Sequence, residues 1–456
     1  LIANTTGANL VGVGQNALAA NTTGNDNVSV GRQSLDANTT GGANIAIGSA
    51  ALGANTTADN NTAVGYNSLL VNTTGASNIA VGAYALDANT TADGNTAVGY
   101  TALTANTTGD YNVSVGYASG AAITTGSQNV SLGSTSLGSN TTGADNTAIG
   151  RSALYANTTA SNNTAVGSSA LGANTTGTGN TAIGYQTLDA ATTVNYNTAM
   201  GHVALSTNTS GTENTGLGSQ AMYANTTGSN NTGIGSQALY AHTTGGSNTA
   251  LGMQTLNGVT TGSNNVGIGK GAGESLTTGG NNILIGVGTG VSASPGGNIS
   301  TGSNEIVLGN GSITAANIKV AWSVSSDERD KTDFTPLDIG LNFVNGLEPL
   351  TYKWDQRSDY GNKTANDYDL NAQIPDGTHK KDKLDIGFKA QAVETLEEKY
   401  GYKISDKTNL TTSLSGDRKQ YGLKYSKFVP ILVKALQELS TQVREQAKRI
   451  EELESN

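Results

Sequence analysis

The chain has 456 residues, of which 36% are hydrophobic and 13% charged, with 61 Gly, no Cys and a formal net charge of −10. Lack of Cys excludes disulfides and thiolate metal sites. The acidic balance argues against a nucleic-acid footprint and against attraction to anionic membranes, and no apolar run is long enough to span a bilayer.

With four Phe and two Trp, the chain is lean for a large globular core. It begins with Leu1, partway through a repeat, and reads as a fragment whose missing signal peptide is uninformative.

An internal period dominates the first two thirds. Gly14, Gly31, Gly48, Gly65 and their successors recur every 17 residues through Gly286, with one further copy displaced to Gly309 around SASPGGNIS. A disordered tract has no reason to keep phase, so residues 1–310 read as a solenoid shaft stabilised by stacking. Before each phased Gly stands an aliphatic residue or Met (Val13, Val30, Ile47, Val64). Three before it stands Val, Ile or Thr, with a small residue between. That alternation predicts a strand, and its lack of charge predicts that both faces are covered, one inside the coil and one by a neighbour. Leu four after the Gly (Leu18, Leu35, Leu52, Leu69), followed by a small residue, predicts a second short strand. The Thr pairs predict the turn, and the phased Gly a corner needing positive φ. Some seventeen stacked turns at ~4.8 Å make a rod on the order of 80 Å long.

Asn four before the Gly (Asn27, Asn44, Asn61, Asn78) is expected to form a hydrogen-bonded ladder. The NTT triplets match the glycosylation sequon, but as repeat grammar rather than scattered surface signals. Regular Thr pairs admit an ice-binding reading, which a thermal-hysteresis assay would test. Tyr66, Tyr100, Tyr117 and Tyr185 directly follow their phased Gly, in a slot that also accepts Arg32, Arg151, His202 and Lys270. Such a slot is exposed, which makes these tyrosines candidates for surface recognition. The shaft offers no paired carboxylates for glycoside cleavage, no metal-spaced His and no calcium repeat, so no metal or cofactor is expected there.

Chemistry changes at SSDERDKTDF. Residues 1–320 carry 11 acids and 4 bases, and residues 321–456 carry 23 and 20. The organisation expected is a shaft (1–310), a neck (311–325) and a small α+β domain (326–456). Within the last, 336–347 reads as a helix ended by Gly346, EPLTYKWD as a strand, 357–384 as a long polar loop and 388–400 as an amphipathic helix. A final helix, with coiled coil over about 425–454, spaces Leu436, Leu439, Val443, Gln446, Ile450 and Leu453 by threes and fours. Three strands would match the shaft, and the heptads alone also permit two.

The repeat residues resemble the head repeats of trimeric autotransporter adhesins, and more closely the shafts of phage tail fibres. That resemblance implies a mainly β, left-handed parallel β-roll assembled as a homotrimer. Downstream, SSDERDKTDFTPLDIGLNFVNGLEPLTYKWD, then IGFKAQAVE, then YGLKYSKFVPILVKALQEL resembles the self-cleaving intramolecular chaperone at the C-terminus of endosialidase tailspikes. The resemblance implies a trimerising domain that releases its shaft through a Ser–Lys dyad, with the roles falling on Ser326 and Lys331 and the cut between Ser326 and Asp327. Its only enzymatic activity would be that one self-cleavage, with no external substrate.

For Lys to act as base, its ordinary pKa of about 10.4 must be pulled down by desolvation or nearby cations. Residues five apart also need a turn, or a neighbouring subunit, to meet. The implied setting is a virion tail fibre or spike, assembled in host cytoplasm and extracellular after release. Its partners would be two further copies, upstream tail proteins and a glycan or protein receptor on the host. The alternatives are a bacterial trimeric adhesin, or a glycan depolymerase whose catalytic domain lies upstream.

Overall fold

A computed structural model of the chain describes all residues except 1, 292–293, 295–296, 314–315, 318, 320–324, 362–368, 416–417 and 456. Much of the expected neck, and part of the expected 357–384 loop, therefore lie outside the described residues. The chain forms two compact units, Leu1–Thr289 with Thr301–Ile306, and Gly290–Ser300 with Val307–Asn456.

The first unit is a parallel β-solenoid. Among the described residues the solenoid sheet holds 18 strands of three residues, from β1 (Val11–Val13) to β18 (Ile306–Leu308), the last begun at the end of the first unit. Successive strands pair in parallel one repeat apart, as Val11 with Val28 and Ile45 with Thr62. After the first, exposed triplet, the middle residue of each triplet faces inward and its two neighbours outward: Ala46 is fully buried, while Ile45 and Ile47 are 39% and 40% exposed. Up to Gly267 the middle position holds Gly, Ala or Ser, because the interior of so narrow a coil leaves little room beside the buried Leu column, and only the last two triplets place Leu284 and Val307 there. The outer positions form two columns of aliphatic and Thr side chains along the length of the sheet.

Among the described residues the expected second strand does not form. Residues after the phased Gly form turns, because alternate positions are left-handed: Gln33 has φ 57° and Leu35 φ 47°, and the Leu column repeats this in turn after turn. A left-handed L-residue costs ~1–2 kcal/mol. Burial of each Leu, worth ~1.5–3 kcal/mol, offsets that cost, since Leu35 is fully buried and its N–H still reaches Ala51 O of the next turn at 3.0 Å. Where the column holds Gly120 instead, Ile123 three residues on fills the space, and a Cβ at Gly120 would lie 3.1 Å from Ile123 Cδ1. The phased Gly has the expected positive φ and a second reason to be Gly. At Gly31 (φ 145°) a Cβ would sit 2.3 Å from Gly48 O in the next turn.

Two buried Asn columns brace the coil. In the expected one, Asn44 N donates to Asn27 Oδ1 (2.9 Å), while Asn44 Nδ2 donates to Ala58 O (2.9 Å). The second is built from the Asn of the NTT triplets. Asn38 Nδ2 donates to Asn21 Oδ1 (2.8 Å) and to Gly41 O (2.9 Å). Both members are fully buried, so these sequons present no accessible acceptor in the folded shaft. The first Thr of most pairs is engaged as well, Thr22 Oγ1 donating to Thr39 O at 2.9 Å.

The second unit packs α1 (Leu341–Asn345), α2 (Ala390–Lys399) and α3 (Phe428–Glu454) around Ile339, Phe343, Val393, Phe428 and Ile431. Gly346 ends α1 as expected. Two antiparallel pairs flank the helices. The first joins β19 (Leu350–Lys353) to β20 (Leu384–Gly387), and the second β21 (Thr412–Leu414) to β22 (Tyr421–Leu423). Buried Glu397 on α2 fastens β21, accepting from Thr411 N (2.6 Å), Thr411 Oγ1 (2.6 Å) and Thr412 Oγ1 (2.5 Å). Glu438 on α3 accepts from Leu341 N at the start of α1 (2.7 Å). Only the first turns of α3 are buried, through Phe428, Ile431 and Ala435. Its later apolar residues, Leu436, Leu439, Val443, Ile450 and Leu453, are all exposed. No helix among the described residues is long and apolar enough to cross a membrane.

Candidate functional site

Ser326 and Lys331 meet. Lys331 Nζ lies 2.6 Å from Ser326 Oγ and also donates to Ser326 O at 3.1 Å. The separation of five residues is closed by a single 3-10 turn, Glu328–Asp330. Asp327 caps that turn, its Oδ1 accepting from Arg329 N at 3.0 Å. The Arg329 guanidinium grips the same carboxylate, with Nε 3.0 Å from Oδ1 and Nη2 2.6 Å from Oδ2. These contacts hold the Asp327 carboxyl below the ordinary carboxylate range. After the turn, Lys331 returns to extended backbone (φ −127°, ψ 148°), and its side chain folds back over Ser326.

The ammonium thus spans the hydroxyl and the carbonyl of one residue, whose carbonyl belongs to the Ser326–Asp327 peptide bond. Chemically the arrangement joins a potential nucleophile, a proton acceptor when Lys is neutral, and, when Lys is charged, a donor to the carbonyl oxygen of the Ser326–Asp327 peptide. Ser326, Asp327 and Lys331 are all exposed in the single chain. Asp327 and Arg329 were not singled out in the sequence as parts of the site. The visible signal was the local helix-start grammar, an Asp followed two residues later by the group it caps.

Of the surface tyrosines, Tyr66, Tyr100, Tyr117 and Tyr185 are all about half exposed or more. They do not form one cluster. Tyr66, Tyr100 and Tyr117 belong to one aromatic row, while Tyr185 stacks on His202 with ring centroids 5.7 Å apart. No group of acidic, His or Cys side chains suited to a metal ion occurs among the described residues.

Comparison with known families bears on residues 326–402, which match the family described as chaperone of endosialidase. The match opens on Ser326 itself. This segment is similar to endosialidase-type chaperone domains. No curated protein and no solved structure matches the chain. The chaperone domain and the β-solenoid that precedes it together fit a tail-fibre-like protein.

Proposed function

We propose that the chain is the shaft and chaperone of a phage tail fibre or spike that attaches the virion to its host. Three copies assemble through the C-terminal domain, which sets the register of the shaft and then cuts itself free between Ser326 and Asp327. The observation that carries this reading is the chaperone-of-endosialidase match, placed directly after a long repetitive solenoid. Identical turns make slips of one repeat between chains nearly isoenergetic, so a domain that fixes alignment at one end meets a physical need.

Uncovered apolar surface supports assembly. The outward strand columns (Val13, Ile47, Val81, Ile149, Ile285) and the seam of α3 (Leu439, Val443, Ile450) are exposed in one chain. Each is long and contiguous within its own unit, the kind of surface along which copies can align.

In the cleavage step, neutral Lys331 takes the Ser326 Oγ proton as that oxygen adds to the carbonyl carbon of the Ser326–Asp327 bond. The C–N bond breaks, the proton passes to the leaving nitrogen of Asp327, and water hydrolyses the resulting ester. Attack from one copy on the next avoids the four-membered ring that attack on the residue's own carbonyl would close. Closure of the assembly also supplies the desolvation that a basic Lys requires. Cutting is then tied to correct association, and loss of the chaperone makes assembly kinetically irreversible.

Denaturing mass analysis tests the reading. Wild type should yield a fragment beginning at Asp327, while Ser326→Ala and Lys331→Ala should stay full length. A wild type that remains intact after trimerising removes the protease, and a sedimentation mass of one chain removes the trimer.

A further inference from the structure

The shaft sorts its charges by column. Its acids lie four to six residues before the phased Gly (Asp26, Asp59, Asp93, Asp110, Asp145, Glu213, Glu305) or five after it (Asp36, Asp87, Asp189, Glu274). Its three bases, Arg32, Arg151 and Lys270, all stand one residue after the Gly, a slot that holds no acid in any turn. The same slot holds Tyr66, Tyr100 and Tyr117. Where it holds Ala83, Tyr84 from the adjacent position completes the row. Ring centroids are 5.4 Å apart for Tyr66–Tyr84, 6.1 Å for Tyr84–Tyr100 and 5.7 Å for Tyr100–Tyr117, so four rings line four consecutive turns without a gap. Reading outward, the row is followed at each end by a serine (Ser49, Ser134) and then an arginine (Arg32, Arg151). The arginines are exposed and seven repeats apart, or about 34 Å at the usual strand spacing.

Nothing in the coil needs these rings. Ser occupies the slot in other turns with the same backbone, as at Ser168 and Ser236. A continuous aromatic ridge with a cation at each end, on an otherwise acidic rod, matches an extended ligand whose faces stack on rings and whose charge is negative. A linear polysaccharide bearing carboxylate or phosphate groups has both properties, and its axial repeat lets it lie along the rod. We propose that the Tyr66–Tyr84–Tyr100–Tyr117 row, with Arg32 and Arg151, binds an anionic polysaccharide laid parallel to the shaft axis. This names the ligand class for the host-attachment part of the reading above and is independent of self-cleavage.

The test uses the full chain with immobilised polygalacturonate, hyaluronate and phosphomannan, and with neutral dextran as comparison. At least one anionic polymer should bind ten-fold or more tighter than dextran, with affinity falling as salt rises. The triple variant Tyr66→Ser, Tyr100→Ser, Tyr117→Ser borrows the residue of neighbouring turns and should lose that binding by ten-fold or more. Arg32→Ser with Arg151→Ser should remove the preference over dextran. Equal binding of all four polymers, or unchanged binding by the tyrosine variant, overturns the proposal. So does a tyrosine variant that loses assembled mass, because the row would then be covered between copies. Sedimentation mass and fragment pattern are read in the same samples. A failure of the site with both intact leaves the assembly reading standing, and the converse failure is equally visible.

Discussion

His242 Nδ1 donates to Asn225 Oδ1 at 2.9 Å, occupying a place in the second Asn column where most turns hold Asn. Its Nε2 accepts from Asn248 Nδ2 of the first column at 3.3 Å. One imidazole therefore ties the two ladders together, and only as the neutral tautomer. Burial lowers its pKa from 6.5 to about 4. In the unfolded chain the ring takes up a proton below pH 6.5, whereas in the folded shaft it stays neutral down to about 4. Its contribution to stability is complete above pH 6.5 and is lost as pH falls toward 4, about 3 kcal/mol in all. His242→Asn should restore the ladder and remove this loss. Thermal unfolding of both proteins at pH 7 and pH 4.5 checks it, and the difference between them should appear only at the lower pH.

The turn that brings Lys331 to Ser326 is held by Asp327 and Arg329. Arg329→Ala should slow release of the C-terminal fragment several-fold without changing the assembled mass, and Arg329→Lys should restore part of the rate. Timed denaturing gels on the purified assembly give both values. An unchanged rate in Arg329→Ala would show that the turn forms without its clamp.

Gly82 has φ 140°, and a Cβ there would meet Gly99 O at 2.3 Å. Gly82→Ala should therefore cost several kcal/mol, through strain and a blocked approach of the next turn. Gly53 is a control, since a Cβ there has no contact shorter than 3.4 Å and Gly53→Ala should be nearly neutral. Melting temperatures of the two variants should differ clearly in rank.

Buried Glu397 holds three donors of Thr411 and Thr412. Glu397→Ala leaves them unsatisfied and should destabilise the chaperone by about 3 kcal/mol or more, lowering the yield of assembled shaft. Amide exchange at β21 measures the local opening.

Leu439 and Val443 are exposed in one chain, so Leu439→Asp with Val443→Asp should leave its fold intact and abolish association. Sedimentation should then report a single-chain mass, and a persistent trimer would show that α3 is not the seam.

Much of the shaft was legible because its constraints repeat. The phased Gly, the triplet before it and the Asn27 column each announce themselves by period. The misread second strand shows the limit of patterning. Leu35 alternates with small residues as a strand residue would, yet sits at φ 47°, a choice that only the packing of neighbouring turns can stabilise. The second Asn column was overlooked although a signal existed: Ile123, Val259 and Leu276 replace its Asn, and a slot that trades Asn for aliphatics is buried. In the chaperone, the helices were readable from apolar spacing. Strand β19 was readable within EPLTYKWD, but its partner β20 and the pair β21–β22 were not, because those strands are short and mostly half covered. The approach of Lys331 to Ser326 depended on a one-turn 3-10 helix, below the length at which periodicity speaks.

The outward strand columns described above are not uniform. Three before the phased Gly, the slot reads Thr in seven consecutive turns from Thr147 to Thr249, then Val266, Ile283 and Ile306. In the proposed assembly, where copies meet across this face, the Thr column looks the same after a shift of one turn and by itself holds no information about alignment. Phase is written in the aliphatic turns at either side, and the set nearest in sequence to the chaperone is met first by an assembly growing from that end. The long middle then closes like a zipper whose teeth are interchangeable, correct only because its first few were not.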